Sequence, residues 1–258
     1  LGCAANVAAN VLSLGASKAV LCGFVGKDYD GKILEDLCNN IKLNRFLINE
    51  GSTIVKERFY ESEFNEYILR VDDGEKDLTG LSGASYEGIY NFVKKSDLDV
   101  MILSDYNKGL FTNGLGKTLV ELSNSKNILV VVDPKPANAL SFIGSTLFRP
   151  NIKEAREITG YKDAREFHVT RRLFEIVKSK YVVVTCGKNG AVCYDGKEFT
   201  QIPTRAREKV DVTGAGDTVC AAITLGLVSG LNLVEATNLA NYAAGIVVEK
   251  QGTSVAYK

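Results

Sequence analysis

Along most of this chain, short β-rich runs alternate with amphipathic helical patterns, and few folds accommodate that order. "AVLCGFVG" (19–26), "DVMILSD" (99–105), "ILVVVDP" (128–134), "STLFRPN" (145–151) and "YVVVTC" (181–186) read as strands. Several are apolar throughout, as parallel strands covered on both faces must be. Helical patterns fill 4–14, 29–40, 85–95, 113–124, 152–159 and 164–178. The alternation predicts an α/β layered domain around a mostly parallel sheet. Binding residues in such sheets collect at the carboxyl ends of the strands, where Asp105, Asp133, Lys135, Asn151 and Thr185 stand. With 258 residues, 45% of them hydrophobic, one such domain can bury a sizeable core.

Two features break the pattern. "TIVKERFY" (53–60) and "EYILRVD" (66–72), separated by the polar "ESEFN", read as an antiparallel hairpin inserted over residues 52–72. Two strands alone are barely stable, so a lid, a dimer contact and an ordinary edge hairpin all stay open. The chain also runs from Leu1-Gly2-Cys3 straight into "AANVAANVLSLGA". A parallel sheet normally begins with a strand, and one is expected ahead of residue 1.

Several function classes are disfavoured. Lys+Arg and Asp+Glu are both 31, so net charge gives no reason to expect nucleic acid or an anionic membrane surface. No apolar stretch approaches a membrane span, and no signal peptide is read. The six cysteines (Cys3, Cys22, Cys38, Cys186, Cys193, Cys220) are scattered and form no C-x-x-C, which predicts buried thiols in a reducing, cytoplasmic setting. His168 is the sole histidine, so a histidine triad or a multi-histidine metal site is nearly excluded. "NGLGKT" (113–118) ends like a P-loop, but Phe111 stands where the first glycine belongs. "GAGDTV" (214–219) begins like a dinucleotide fingerprint, but Val219 takes the third glycine's place, which disfavours NAD.

"DVTGAGDTVCAA" (211–222) carries the most chemistry. Thr213-Gly214-Ala215-Gly216 must turn sharply, and from Asp217 the pattern is helical, with Gly230 a natural stop. The loop presents N–H groups at a helix N-terminus, an anion site by geometry and by dipole. Asp217 could be a simple cap. It could equally accept a hydroxyl proton while the amides hold charge on a transferring phosphoryl group. Local physics leaves both readings open. The late helix "EATNLANYAAGIVVEKQG" (235–252) is rich in small residues, which admit either another helix or a flat ring such as adenine.

"DVTGAGD" resembles the C-terminal signature of ribokinase-like (PfkB) carbohydrate kinases. "GCAANVAANVLSLGA" is similar to the family's N-terminal glycine motif, "RPNIKE" to its Asn-x-x-Glu element and "VTCGKNG" to its Thr-x-Gly-x-x-Gly turn. "LSDYNKG", "VDPK", "LRVD", "IPTRAREKVDVTGAGDTV" and "ANYAAGIVVEKQGTS" look like the heptose-phosphate kinase subgroup of lipopolysaccharide-core synthesis. The likeness spans nearly the whole chain in the family's motif order.

The resemblance implies one ribokinase-like domain over 1–258, a three-layer α/β/α fold with a small β lid. It implies ATP- and Mg²⁺-dependent phosphorylation of a sugar, in this subgroup a heptose 7-phosphate at its anomeric hydroxyl, and leaves a monovalent cation open. Asp217 would be the base, and Gly214, Ala215 and Gly216 the anion hole. Asn151 and Glu154 would organise Mg²⁺ and the phosphates, although Glu154 can also be read as a first-turn surface carboxylate. Thr185, Gly187, Gly190, Ala243, Gly245 and Gly252 would border the nucleotide. Gly2, Asn6, Arg70, Asp72, Asp105, Lys108 and Lys135 would face the sugar phosphate. Cys3 departs from the subgroup's second glycine and would narrow the sugar pocket. The family's first strand, with its sugar-binding aspartate, and the nucleotidyltransferase domain often fused to the heptose enzymes do not occur in the sequence. By resemblance, lids pair in a homodimer. A kinase of another sugar or nucleoside (ribose, fructose or adenosine type) and a non-catalytic sugar-phosphate sensor are the alternatives.

Overall fold

The computed structural model describes residues 1–61, 67–74, 82–204, 211–250 and 252–257. In chain order the elements are α1 (Cys3–Ser13), β1 (Val20–Val25), α2 (Tyr29–Asn40), β2 (Asn44–Asn49), β3 (Val55–Tyr60), β4 (Tyr67–Asp73), α3 (Gly83–Lys95), β5 (Val100–Ser104) and α4 (Leu115–Ser125). There follow β6 (Leu129–Asp133), β7 (Leu147–Phe148), α5 (Ile152–Thr159), α6 (Glu166–Val177), β8 (Tyr181–Thr185), β9 (Ala191–Tyr194), β10 (Phe199–Ile202), α7 (Ala215–Val228) and α8 (Leu233–Val247).

The six-stranded sheet has the order β10-β9-β8-β7-β6-β5. β5 to β8 are parallel, and β9 and β10 close one side as antiparallel strands. Successive side chains point to opposite faces, which explains the unbroken apolar runs. Val130, Val132, Val182 and Val184 enter one core with Leu119, Ala155 and Leu173 from α4, α5 and α6. Val131 and Val183 enter the other with Ile223 from α7 and Ala236 and Ala240 from α8. The expected three-layer α/β/α arrangement is therefore present. The small-residue stripe of α8 receives a helix, since Ala236, Ala240 and Ala243 are buried in the core that α7 shares.

β1 and β2 form a separate parallel pair. Cys22, Phe24, Phe46 and Ile48 pack onto the first core, and Leu21 and Leu43 pack with α1 residues Ala5 and Ala8. β3 and β4 form the expected antiparallel hairpin, with Lys56 opposite Asp72. Its turn, expected at "ESEFN" (61–65), lies outside the described residues from 62 onward, as does 205–210 of the "IPTRAREKVDVTGAGDTV" stretch. Phe59, Tyr67, Ile68, Leu69 and Val71 of the hairpin are exposed.

Some boundaries differ from the sequence reading. The strand expected at 145–151 is a ladder of only Leu147 and Phe148, with an isolated bridge from Asn151 to Thr185. Pro150 between them has no N–H to donate. The helix expected from 113 begins at Leu115, because Asn113 (φ 57°) and Gly114 (φ 80°) are left-handed. The helix expected at 235–252 runs from 233 to 247, opened by reciprocal hydrogen bonds between Asn232 and Glu235. β2 ("NRFLIN") and β10 ("FTQI") were not anticipated: one mixes polar and apolar residues without clean alternation, and the other is very short. All six cysteines are free thiols, four of them buried. No helix among the described residues is long and apolar enough to cross a membrane.

Candidate active site

Three distant segments meet at Asp217. Gly214 caps α7 at φ 80°, a left-handed conformation, and a Cβ there would lie 2.8 Å from Asn6 Nδ2. Only glycine fits both demands. The turn puts Asp217 in the helix's first turn, where the leading N–H groups have no intrahelical partner. One of them, Ala215 N–H, is already given to the Val212 carbonyl (3.2 Å). Asn6, from α1, donates through Nδ2 to Asp217 Oδ2 at 2.9 Å. The Tyr106 hydroxyl, from the turn after β5, donates to Asp217 Oδ1 at 2.7 Å. Asp217 stays partly accessible and Gly216 is exposed.

The loop is tied down from below and behind. Asp211 accepts from the N–H groups of Thr213 (2.8 Å) and Gly252 (2.9 Å), which joins the glycine loop to the C-terminal turn. Burial pushes the Asp211 carboxyl up, but its hydrogen bonds with Thr213 and Gly252, helped by Arg58, hold it below the usual value. Beneath Gly216 lies the Arg149 guanidinium, 3.8 Å from where a Cβ would sit. Arg149 is 4% exposed and pairs with Asp133 at 2.5 Å, so a buried ion pair sits under the loop. Burial raises the Asp133 carboxyl against the pull of Arg149.

Around this centre the other sequence-derived residues divide. Asn151 caps α5 by accepting from the N–H groups of Lys153 and Glu154, and Glu154 Oε2 accepts in return from Asn151 N–H at 2.9 Å. Glu154 Oε1 also takes Lys135 Nζ at 2.5 Å. Glu154 is thus the first-turn carboxylate of α5, capping the helix and ion-paired, with its side chain 12% exposed. Thr185 bridges to Asn151. Gly187 and Gly190 form the following turn, in which a Cβ on Gly190 (φ 79°) would strike the Ile202 carbonyl. Gly252 joins the loop through Asp211, Gly245 is partly exposed, and Ala243 is buried in the second core.

Asp105 is 3% exposed and wholly engaged: Oδ1 accepts from Asn107 N–H (2.7 Å) and Asn138 Nδ2 (3.2 Å), and Oδ2 from Lys135 N–H (3.0 Å). Lys108 follows in the same turn, and Gly2, the N-cap of α1, borders open space. On the hairpin, Asp72 is bracketed by Arg70 Nε (2.7 Å) and Lys56 Nζ (3.0 Å), and these cations hold its carboxyl below the usual range. Burial first, then the Asp217 charge, raises the Cys3 thiol, on which Lys56, Arg58 and Asp72 also act. The hairpin charges and Asp217 therefore act on the same thiol at the start of α1. Cys3 takes φ 55°, the left-handed region where a glycine would be at ease.

Sequence reasoning assigned no role to Tyr106 and Arg149. Tyr106 stood inside the quoted "SDYNKG" and Arg149 inside "RPNIKE". Nothing in a local pattern says that a tyrosine reaches a residue 111 positions away.

An α/β layer carrying a partly accessible carboxylate beside helix-start amides offers a proton acceptor next to donors for an anion. The profile of the "pfkB family carbohydrate kinase" matches residues 1–258, and the chain belongs to that family. It is 36% identical over 261 residues to the "Bifunctional protein HldE" of a Nitratiruptor species, covering 99% of this chain and 54% of the relative. It is 37% identical to the protein of that name from Campylobacter jejuni subsp. doylei, covering 98% and 54%. It is 33% identical to an "Uncharacterized sugar kinase" of Buchnera aphidicola subsp. Schizaphis graminum, covering 98% and 80%. The chain spans about half the length of the HldE relatives. Among solved structures, Escherichia coli phosphofructokinase-2 in complex with potassium superposes with a TM-score of 0.84 at 19% identity, covering 98% and 82% of the two chains. Thermotoga maritima ribokinase superposes with a TM-score of 0.76 at 21% identity, covering 96% and 81%. These neighbours share the ribokinase-like fold.

Proposed function

We propose that this ATP-dependent sugar kinase domain phosphorylates a heptose 7-phosphate at its anomeric hydroxyl, with Asp217 as general base. The observation that carries this reading is the placement of Asp217: a partly accessible carboxylate at the start of α7, held by Asn6 and backed by the Gly214–Gly216 turn. Asp217 accepts the hydroxyl proton, and the oxygen attacks the γ-phosphorus in line as the bond from that phosphorus to the β-bridging oxygen breaks and ADP leaves. The remaining amides of 214–216, with the helix dipole behind them, favour the anionic phosphoryl group.

Mg²⁺ and ATP fit this donor set in a particular way. Among the described residues no three His, Cys, Asp or Glu side chains cluster to hold a metal. Mg²⁺ commonly binds through one or two carboxylates, several waters and substrate phosphates. Glu154, oriented by Asn151 and Lys135, would supply the single carboxylate, and Mg²⁺–ATP when bound would supply the transferable phosphoryl group. Thr185, Gly187, Gly190, Gly245 and Gly252 border the nucleotide, and Ala243 supports it from the core. Gly2, Asn6, Lys108, Lys135 and the hairpin's Arg70 and Asp72 face the sugar phosphate, whose second anion suits a cluster of cations. Asp105 contributes by holding its turn. The exposed apolar residues of the hairpin pair with those of a second copy.

The test is an ADP-coupled assay of the full-length protein that carries this domain, with heptose 7-phosphate, fructose 6-phosphate, ribose, fructose and adenosine. Heptose 7-phosphate should exceed the others by at least about tenfold in kcat/KM, as differential transition-state binding requires. Preference for any other acceptor would overturn the substrate. Binding of sugar phosphate with no turnover of any acceptor would overturn the kinase reading in favour of a sensor.

A further inference from the structure

We infer that Tyr106 is a positioning residue for the base: its hydroxyl fixes the Asp217 carboxylate so that one lone pair faces the acceptor hydroxyl. The inference rests on the reading of Asp217 as the base and adds a residue to it.

Each Asp217 oxygen receives one side-chain donor, and the two donors come from different elements. Asn6 Nδ2 reaches Oδ2 at 2.9 Å from α1, and Tyr106 Oη reaches Oδ1 at 2.7 Å from the turn after β5. Two donors on two oxygens define the plane of a carboxylate. One alone would leave it free to rotate about its Cβ–Cγ bond. Each oxygen keeps a second lone pair, so the clamp orients the group without consuming it.

The tyrosine is itself held. Asp105, directly before it, donates its own N–H to the Asp133 carbonyl at 2.8 Å, and its carboxylate accepts from Asn107, Lys135 and Asn138. Asn138 Nδ2 also reaches Asn107 Oδ1 at 3.2 Å, while Asn107 lies at φ 54° and Gly109 at φ 85°. This cage turns the strand end so that Tyr106 points across to α7. Burial, then the neighbouring Asp217 charge, keeps the phenol protonated far above its ordinary range, so it acts as a donor. A well-placed donor on a reacting group affects the transition state more than substrate binding, because misplacement by an ångström is costly in orientation.

The experiment compares wild type, Tyr106→Phe, Asp217→Ala and the double variant in the full-length protein, with ATP and heptose 7-phosphate. Tyr106→Phe keeps the ring and removes one oxygen. The expected result is a fall in kcat of about 10- to 100-fold with KM for both substrates within about twofold. A filler of space would show unchanged kcat, and a competitor for the base would show increased kcat; either overturns the inference. Urea unfolding of the same four proteins supplies a readout independent of turnover. The unfolding constants should be coupled by about tenfold, as for a hydrogen bond to a charged group. Additive effects overturn the contact itself. A wild type that turns over no acceptor while the coupling persists overturns the base reading and the role of Tyr106 with it, and is distinguished from failure of Tyr106 alone by that coupling.

Discussion

Asp105 and Asp217 both sit where a functional carboxylate would be sought, one at the end of β5 and the other at the start of α7, yet their surroundings differ. Asp105 is 3% exposed and takes three N–H donors, so its acceptor capacity is directed into the fold. Asp217 takes one donor on each oxygen and stays partly accessible. A carboxylate surrounded by donors organises a turn. A carboxylate held at two points and left open can exchange a proton. Position at the sheet's active edge does not separate the two; the donor inventory does.

The sharpest way to break this comparison is to neutralise each in turn. Asp217→Asn should lower kcat by about 10²- to 10⁴-fold, the usual worth of a general base, while the melting temperature moves by only a few degrees; comparable loss of both would make Asp217 another organiser. Asp105→Ala should do the reverse in kind, costing roughly 2–4 kcal/mol in urea unfolding because three inward donors lose their acceptor. If Asp105→Ala folds as stably as wild type but loses sugar affinity, the contrast collapses and Asp105 is a substrate contact.

Gly214→Ala should lie between these extremes. Its methyl meets Asn6 Nδ2 at 2.8 Å in a left-handed conformation that costs about 1–2 kcal/mol. Displacing Asn6 should lower kcat by about tenfold, readable by steady-state kinetics beside thermal unfolding. The smallest effect belongs to Asp211, a second organiser within the same loop as the base. Its folded value is depressed, so it contributes stability above the ordinary carboxylate range, near pH 4, and that contribution fades as pH falls through the folded value. Asp211→Asn should flatten the acid side of a melting-temperature profile by lowering the melting temperature slightly at neutral pH, the difference from wild type shrinking as pH falls below about 4.

The layered architecture was legible because it rests on short-range order. "LVVV" and "VVV" are apolar at consecutive positions since both faces of β6 and β8 are covered, and a sequence displays that directly. The glycine turn was equally legible, because a left-handed cap at Gly214 is a backbone demand that few residues meet. The apolar run before Pro150 reads as a full strand although the pairing partners leave a ladder of only two residues in β7, and β10, at four residues, was too brief to show a period.

The sequence alone determined the layers, the hairpin, the anion-binding turn and the presence of an aspartate beside it, all of which follow from backbone geometry and side-chain periodicity over a few residues. Tertiary structure decided which aspartate is enclosed and which is open. It placed Tyr106 and Asn6 on Asp217, set Arg149 under Gly216 and engaged Glu154 with Lys135. Those relations join residues up to 211 positions apart. They depend on how the sheet brings its strand ends together, and no local pattern encodes the distance between two side chains on different elements.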